Sequence, residues 1–382
     1  MPLTIVADEN MPGLELFEVF GTLIPVSGRE ISSQHLRQAD VLLVRSVTRV
    51  NQALLNGTPV RFVGSATIGT DHVDLAWLAE AGIAFHHAPG CNAMAVAEYV
   101  LQAVLDWVVE QQRPVSGLSA GVVGYGNVGR RVAGLLTNLG LRVLAYDPPL
   151  ARIGRQAGTD WASFEQILSC DIVTLHVPLT LSGDDATCHM MNQARLAELG
   201  AARLLINTCR GAVVDNQALL ALAPDASPAL VLDVWEREPR IPVELFERVR
   251  LGTAHIAGHS VEGKWRGTLM VREALAGWLG QSLETISPDR QSGIYEDEVT
   301  DLVGLLRLLR CRYDQPQDHV RLAQAVREDH PALAFDRLRK HYPRRHELAG
   351  LAVTGRVAPA FSRLLDALGV RLSQGSASGA PV

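Results

Sequence analysis

Residues 120–147, AGVVGYGNVGRRVAGLLTNLGLRVLAYD, constrain this chain more than any other stretch. They read as a buried strand at 121–123, a glycine-rich turn, a helix, and a second strand that ends on an acid. The turn, Gly124-Tyr125-Gly126-Asn127-Val128-Gly129, is a G-x-G-x-x-G run. Gly124 permits a tight turn, Gly126 lets backbone approach a pyrophosphate, and Gly129 lets the helix pack close to the strand. Val128, Val132, Leu135, Leu136 and Leu139 recur at helical spacing, and Gly140 is placed to end the helix in a left-handed cap. The first-turn amides and the helix dipole, starting near Asn127, favour an anion. Asp147 follows the strand at 142–146, where an acid binds the ribose hydroxyls of NAD and repels the extra phosphate of NADP. A lone glycine run is weak evidence, but one flanked by strand, capped helix and acid is strong. The expected cofactor is therefore NAD, held by Gly124, Gly126, Asn127, Val128, Gly129 and Asp147.

At 382 residues the chain has room for two or three domains. Residues 1–90 alternate short apolar strands (3–7, 41–44, 61–64) with helical segments, the pattern of a parallel α/β sheet. Ligands of such sheets bind beyond the carboxyl ends of strands, which draws attention to Arg45, Ser46 and the turn at 65–69. Asp71 and Asp74 read as helix caps. A long helix at 93–110 leads into the nucleotide domain, which continues through strands at 172–177, 204–207, 230–234 and 251–255. A helix at 261–279 returns to the first domain, so the nucleotide domain is inserted into a discontinuous partner, with a cleft expected between them. The fold class is α/β, with two doubly wound parallel-sheet domains. A flavodoxin-like domain spans 1–92 and 259–285, and a Rossmann domain spans 93–258. A small α+β domain at 286–382 carries helices at 296–311, 320–327 and 360–368, a strand at 351–355, and no catalytic signal. Its basic run at 341–346 reads as a solvated loop or, if this domain makes a dimer, as a segment that closes over the partner subunit's cleft. The small polar tail at 373–382 reads as disordered.

The net charge of −6 excludes nucleic acid as the main partner, which would require a basic face. No apolar stretch is long enough to span a bilayer. The start MPLTIVADENMPG lacks a signal core, so a cytoplasmic protein without a membrane partner is expected. The five cysteines are scattered and read as reduced thiols.

Oxidising an alcohol by hydride transfer needs a base for the hydroxyl proton, a group that orients the base, and a cation that holds the substrate. Three strand ends offer one each: Arg210 in INTCRGAVVD, Glu238 in LDVWEREP and His255 in TAHIAGH. A guanidinium grips a carboxylate through two parallel bonds. A carboxylate bonded to imidazole fixes its tautomer and raises its pKa. Singly, each is an ordinary polar residue, with Gly211 keeping the arginine loop open. Together, downstream of a dinucleotide turn, they point to a dehydrogenase. No metal is assigned, because Gly258 between His255 and His259 opposes a helix and no carboxylate follows in register.

LINTCRGAVVDNQAL, LDVWEREP and AHIAG, with VGYGNVGRRVA and LHVPLT, resemble the D-isomer-specific 2-hydroxyacid dehydrogenases over residues 1–280. The resemblance implies His255 as acid/base, Glu238 as its partner and Arg210 as the carboxylate clamp. It also implies Val177, Pro178, Thr208, Cys209 and Asp233 as cofactor neighbours, Cys209 being a neutral loop residue and no catalytic thiol. A narrower resemblance, carried by VRSVTRVN, FVGSATIGTDHVD, APGCNAMAVAEYV and HIAGHSVEGK with the extra C-terminal domain, is to the erythronate-4-phosphate dehydrogenase branch. That branch implies NAD-dependent oxidation of 4-phospho-D-erythronate to 2-oxo-3-hydroxy-4-phosphobutanoate in pyridoxal phosphate biosynthesis, and a homodimer built through the C-terminal domain. It places Ser46 and Thr67 on the substrate and Gly258 by the cofactor. His259 stands at a substrate-contact position where other members can have tyrosine. Arg45 is the first candidate for the substrate phosphate, ahead of Lys264 and Arg266. The alternatives are another phosphorylated hydroxy-acid dehydrogenase, such as one for 3-phosphoglycerate, and a non-enzymatic NAD-sensing regulator.

Overall fold

Short aliphatic runs dominate the first ninety residues, and each becomes a strand of one parallel sheet. The computed structural model describes residues 2–154, 158–286 and 291–373. Strands β1 (Leu3–Asp8), β2 (Gly21–Val26), β3 (Val41–Val44), β4 (Phe62–Ser65) and β5 (Ala84–His87) are ordered β2-β1-β3-β4-β5, the flavodoxin-like arrangement. Every residue of β3 and β4 is buried, as in a parallel sheet covered on both faces. On one face lies the helix Val261–Trp278, whose Val271 and Leu275 join Ile5, Leu43 and Phe62 in a core. Ser260 caps this helix by accepting the Gly263 amide at 2.9 Å. Leu55 and Leu78 cover the other face with Val6, Leu42 and Val63. Asp74 caps its helix through the Trp77 amide.

A second parallel sheet follows the helix Ala93–Glu110. Its strands are β6 (Ser119–Val123), β7 (Arg142–Tyr146), β8 (Ile172–Leu175), β9 (Leu204–Asn207), β10 (Ala229–Leu232) and β11 (Leu251–Gly252), ordered β11-β10-β9-β8-β6-β7. A single bridge, Ala145 to Trp161, occupies the open edge of β7, where a full Rossmann sheet has its third strand. The strand order reverses between β6 and β8, and ligands bind outside the carboxyl ends at such a switch point.

The last part of the chain forms a small parallel sheet, β12 (Gly293–Tyr295), β13 (Leu351–Val353) and β14 (Arg371–Leu372), in that order. Helices Leu302–Arg310 and Pro359–Ala367 share a core with it. Gln315–Ala325 instead packs against β11 and Pro331–Lys340 against Gln315–Ala325, their Leu322, Ala325, Ala334 and Phe335 lying in the core of Leu205, Leu230 and Trp235. In the first pair, Leu305, Leu308, Leu364 and Leu365 belong to the same continuous apolar cluster as Val100, Val104, Leu135 and Leu136. The described chain accordingly divides into two compact units, Met1–Asn92 with Ser260–Asp289, and Ala93–His259 with Arg290–Val382. Within the second unit, the segment expected as a separate domain packs directly on the nucleotide sheet.

Two local expectations for that segment are corrected. The helix expected from 296 begins at Leu302, because Val299 is committed to a bridge with Val357 and Asp301 caps the helix through the Gly304 amide at 2.7 Å. The basic run at 341–346 is solvated only in part: His341, Pro343 and Arg344 are exposed, but Arg345 is 4% exposed, and Glu347 just beyond the run 2%. Beyond Ser373, the polar tail lies outside the described residues. No helix among the described residues is long and apolar enough to cross a membrane.

Candidate active site

Strand register sets the site. Tyr146, Val123, Leu175, Asn207, Leu232 and Gly252 are successive partners across the second sheet. Neighbouring strands lie about 4.8 Å apart, so the loops that leave this row emerge side by side. They carry, in turn, Asp147, the glycine turn, Val177 and Pro178, Thr208 to Arg210, Asp233 to Glu238, and His255 to His259.

The glycines of the turn do three different jobs. Gly124 has φ +86, a left-handed conformation, and a Cβ there would stand 2.6 Å from the His176 carbonyl oxygen. A Cβ on Gly129 would stand 1.8 Å from the Gly124 oxygen, so helix and turn can touch only without one. Gly126 is exposed, and nothing lies within 4 Å of where its Cβ would be. That open space, at the N-terminal end of the helix Gly129–Leu139, fits an approaching pyrophosphate. Asn127 is drawn into the first turn, its side-chain oxygen accepting from Arg130 at 2.6 Å, and Val128 is the N-cap residue. Gly140, φ +106, closes the helix as its position predicts. Asp147 accepts the Tyr125 amide at 2.8 Å and the Leu150 amide at 3.0 Å. Its carboxylate is thereby fixed beside the turn while also capping the next short helix.

His255 Nδ1 donates to Glu238 Oε1 at 2.6 Å, and Glu238 Oε2 accepts the Trp235 amide at 3.2 Å. Burial pushes the Glu238 carboxyl up. The charge and hydrogen bond of His255, the Trp235 amide and Arg339 together outweigh it and hold the group below its usual value. The ionised carboxylate keeps the imidazole proton on Nδ1 and leaves Nε2 as the acceptor. His255 has φ 55, a left-handed conformation that costs about 1–3 kcal/mol for such a residue and needs the surroundings to impose it. Asp233 imposes it. Its carbonyl accepts the His255 amide at 2.7 Å, and its carboxylate accepts the Ile256 and Ala257 amides at 2.7 and 3.0 Å. Thr253 also donates to it at 2.6 Å, and lies 2.8 Å from the buried Tyr99 hydroxyl. Asp233, implied as a cofactor neighbour, is 1% exposed and builds the histidine loop from beneath.

Arg210 is half-buried and donates to the Cys209 carbonyl at 2.8 Å. Its loop is shaped by Asn207, which donates to the Arg210 carbonyl at 2.9 Å and accepts the Cys209 amide at 3.1 Å. Gly211 does not serve openness: a Cβ there would lie 2.0 Å from the Trp235 carbonyl carbon. The glycine lets the arginine loop touch the backbone that leads to Glu238. Trp235 in turn donates from its ring to the Thr253 carbonyl at 2.9 Å. Asn207 and Trp235 thus tie together the three strand ends, and sequence reasoning missed both. A polar residue ending a buried apolar run was the available signal for Asn207.

Around the cofactor side, Thr208 lies 3.4 Å from His176 Nδ1, and Thr174 lies 2.9 Å from its Nε2. Burial pushes His176 down to about 3, so its ring is neutral. Burial pushes the Cys209 thiol up to about 11, which makes it an inert loop residue. Val177 is half-buried, Pro178 exposed. Gly258 and His259 follow the amides held by Asp233, with the His259 ring edge-on to Tyr342 at 5.7 Å. Among the described residues, one group has metal-like spacing: His189, Asp215 and Glu236. There the carboxylates face opposite ring nitrogens, at 2.7 Å to Glu236 and 3.8 Å to Asp215, a clasp between loops.

The first unit gathers its own polar set at strand ends. The Ser65 hydroxyl lies 2.7 Å from that of Thr67 and 3.0 Å from His72 Nε2, and Thr67 donates to the Gly69 carbonyl. Ser46 is exposed beyond β3. Arg45 and Lys264 sense each other: burial, and next the Arg45 charge, hold the Lys264 amine below its usual value. Arg266, by contrast, is a structural tie, donating to the Cys91 carbonyl at 2.6 Å.

Comparison with known proteins gives this arrangement a family. Residues 96–257 match the NAD-binding domain of the D-isomer specific 2-hydroxyacid dehydrogenases. Erythronate-4-phosphate dehydrogenase from Marinobacter nauticus is 45% identical over 370 residues, covering 92% of this chain and 94% of that protein. The one from Sodalis glossinidius is 46% identical over 365 residues, with the same coverages of 92% and 94%. The chain belongs to the erythronate-4-phosphate dehydrogenase family. It is an NAD-dependent dehydrogenase, and the glycine turn, Arg210, Glu238 and His255 all fall inside the matched NAD-binding domain. The fold is also that of the D-lactate dehydrogenase from Aquifex aeolicus, solved with NAD and lactic acid. That likeness has a TM-score of 0.58 at 24% identity and covers 72% of this chain and 96% of that one. Residues 290–369 match a domain of unknown function, DUF3410.

Proposed function

We propose that this chain oxidises 4-phospho-D-erythronate to 2-oxo-3-hydroxy-4-phosphobutanoate, a step of pyridoxal phosphate biosynthesis. The observation that carries the reading is the His255–Glu238 pair at 2.6 Å, one loop away from Arg210 on the row of strand ends. Gly126, Asn127, Val128 and the helix behind them hold the NAD pyrophosphate, and Asp147 its adenine ribose. Val177, Pro178, Thr208 and Gly258 line the cofactor. When bound, NAD accepts the hydride that leaves substrate C2. His255 Nε2 takes the C2 hydroxyl proton, and the carboxylate of Glu238 stabilises the imidazolium that results. Arg210 grips the substrate carboxylate with its fork, assisted by Ser46 and Thr67, with His259 as a further substrate contact.

The first unit supplies the phosphate recognition. Arg45 and Lys264 repel one another, and a dianion relieves that repulsion, which favours a phosphorylated over an unphosphorylated hydroxy acid. Residues 1–92 with 259–285 then act as the substrate domain and 93–258 as the NAD domain. Residues 286–382 carry homodimerisation in a cytoplasmic enzyme. Following NADH absorbance on 4-phospho-D-erythronate and 3-phosphoglycerate tests the substrate: kcat/KM should favour the four-carbon acid by more than about tenfold, since a mispositioned carboxylate leaves buried polar groups unpaired. Equal or reversed preference overturns it, and absence of turnover on either acid favours an NAD-sensing role.

A further inference from the structure

The C-terminal segment grips the histidine loop of its own chain at three places. His319 Nδ1 accepts the Gly252 amide at 3.0 Å, at the end of β11 and three residues before His255, with the His319 ring stacked on Phe246 at 4.9 Å. Arg345 donates through Nη1 to the Ala257 carbonyl at 2.9 Å and through Nη2 to the Ala95 carbonyl at 2.7 Å. Tyr342 presents its ring to His259 and fixes its hydroxyl on Asp318 at 2.7 Å. Arg345 is almost wholly enclosed. Its guanidinium lies 3.8 Å from the Tyr313 ring centroid and 3.8 Å from the Glu98 carboxylate, which also accepts the Leu348 amide. A charge buried this deeply is tolerated only when paired and hydrogen-bonded, and here its partners are the helix Ala93–Glu110 and the histidine loop.

Ala257 is therefore held through both of its flanking peptide groups: its N–H by Asp233 and its C=O by Arg345. Asp233 acts from the sheet beneath, Arg345 from the segment that matches a domain of unknown function. We propose that Arg345 is a positioning residue for His255, and that the C-terminal segment braces the catalytic loop in cis, whatever part it also takes in assembly. The inference rests on His255 being the base. The brace fixes the left-handed backbone at His255 and so the direction in which Nε2 points.

The test uses the full-length chain. Glu98→Gln keeps an acceptor for the Leu348 amide, so Arg345→Met combined with Glu98→Gln removes the cation without stranding a buried carboxylate. Relative to Glu98→Gln alone, the double variant should lose about 10- to 100-fold in kcat, the scale of a displaced catalytic group. Its KM for NAD should stay within about twofold, because the glycine turn is untouched, and the acid limb of its kcat–pH profile should move. A folded double variant with a lower Tm but the kcat and pH profile of Glu98→Gln overturns the proposal. If the double variant does not fold, Arg345→Lys decides, since an ammonium keeps the charge but cannot span both carbonyls. Reduced kcat at unchanged Tm supports positioning; unchanged kcat overturns it. His255→Asn is run alongside: full activity there sinks the base assignment, whereas an inactive His255→Asn beside fully active Arg345 variants sinks the brace alone.

Discussion

At the scale of single residues, the chemistry depends on how backbone geometry and burial tune otherwise ordinary side chains. His255 is a histidine in a conformation that favours glycine, tied by three amides to one buried aspartate. Replacing it by Asn retains a residue that tolerates left-handed backbone but removes the base. We expect kcat to fall by about 10²–10⁴-fold while calorimetric NAD affinity is unchanged; a near-normal kcat would exclude the assignment. His176 shows the opposite tuning. Its folded-state value is about 3 against 6.5 for the free group, so below pH 6.5 the unfolded chain binds a proton that the folded chain refuses. Stability is whole above pH 6.5 and declines as pH falls toward 3, by at most about 1.4 kcal/mol per pH unit from this one group. His319, also pushed down by burial, acts with the same sign. Glu238, held below its usual value, contributes stability above the ordinary carboxylate range that is lost as pH falls through its folded value. Tm measured from pH 7.5 down to 4.5 should therefore fall, and His176→Gln should flatten the slope between pH 6.5 and 4.5. An identical slope in that variant would place the acid sensitivity elsewhere.

At the scale of elements, Asp147 has two jobs that substitution can separate. Its carboxylate caps a helix through the Leu150 amide, and Asn caps as well as Asp. Asp147→Asn keeps the cap through its one oxygen but gives up the Tyr125 amide. It should therefore lower Tm only modestly, by about 1 kcal/mol of stability, while weakening NAD binding and admitting NADP, which a carboxylate repels. Measured Kd values for the two cofactors check this, and an unchanged preference would mean that the discrimination lies in another loop. The element carrying Asp147 was legible in sequence because each signal is local: a short apolar strand, glycines at fixed offsets, a left-handed cap at Gly140. The long helices Ala93–Glu110 and Val261–Trp278 were legible for the same reason, through apolar spacing sustained over eighteen residues. Elements defined by tertiary partners were not. β2 alternates exposure and contains Pro25, so it pairs as an edge strand without a continuous apolar run. β5, AFHH, hides behind two histidines. The helix Pro331–Lys340 buries only Ala334 and Phe335, too few for a helical stripe. Arg210, Glu238 and His255 could be named from their positions after strands. Asn207 and Trp235, whose work is holding loops to one another, carry no signature until the loops are in place. Arg345 was misread for a related reason: the neighbouring arginine, lysine and histidines advertise solvent, and only the fold reveals the carbonyls awaiting a donor.

At the scale of the whole molecule, the second unit is one compact body in which the nucleotide sheet and the C-terminal helices share an apolar core, which predicts that they unfold together. Leu135 and Leu136, on the helix that opens at the glycine turn, belong to the same cluster as Leu308, Leu364 and Leu365. A ligand that binds only the folded chain stabilises every part that must unfold with its site. NAD at a hundred times its Kd adds about 2.7 kcal/mol, and a shared core transmits that to helices that make no cofactor contact. Amide hydrogen exchange should therefore slow on NAD addition in Pro359–Ala367 to nearly the extent seen in Gly129–Leu139. For the slowest amides, those opened only by unfolding of the unit, the retardation corresponds to about a hundredfold. Exchange in Pro359–Ala367 that is indifferent to NAD would mean that the C-terminal helices open independently of the nucleotide sheet.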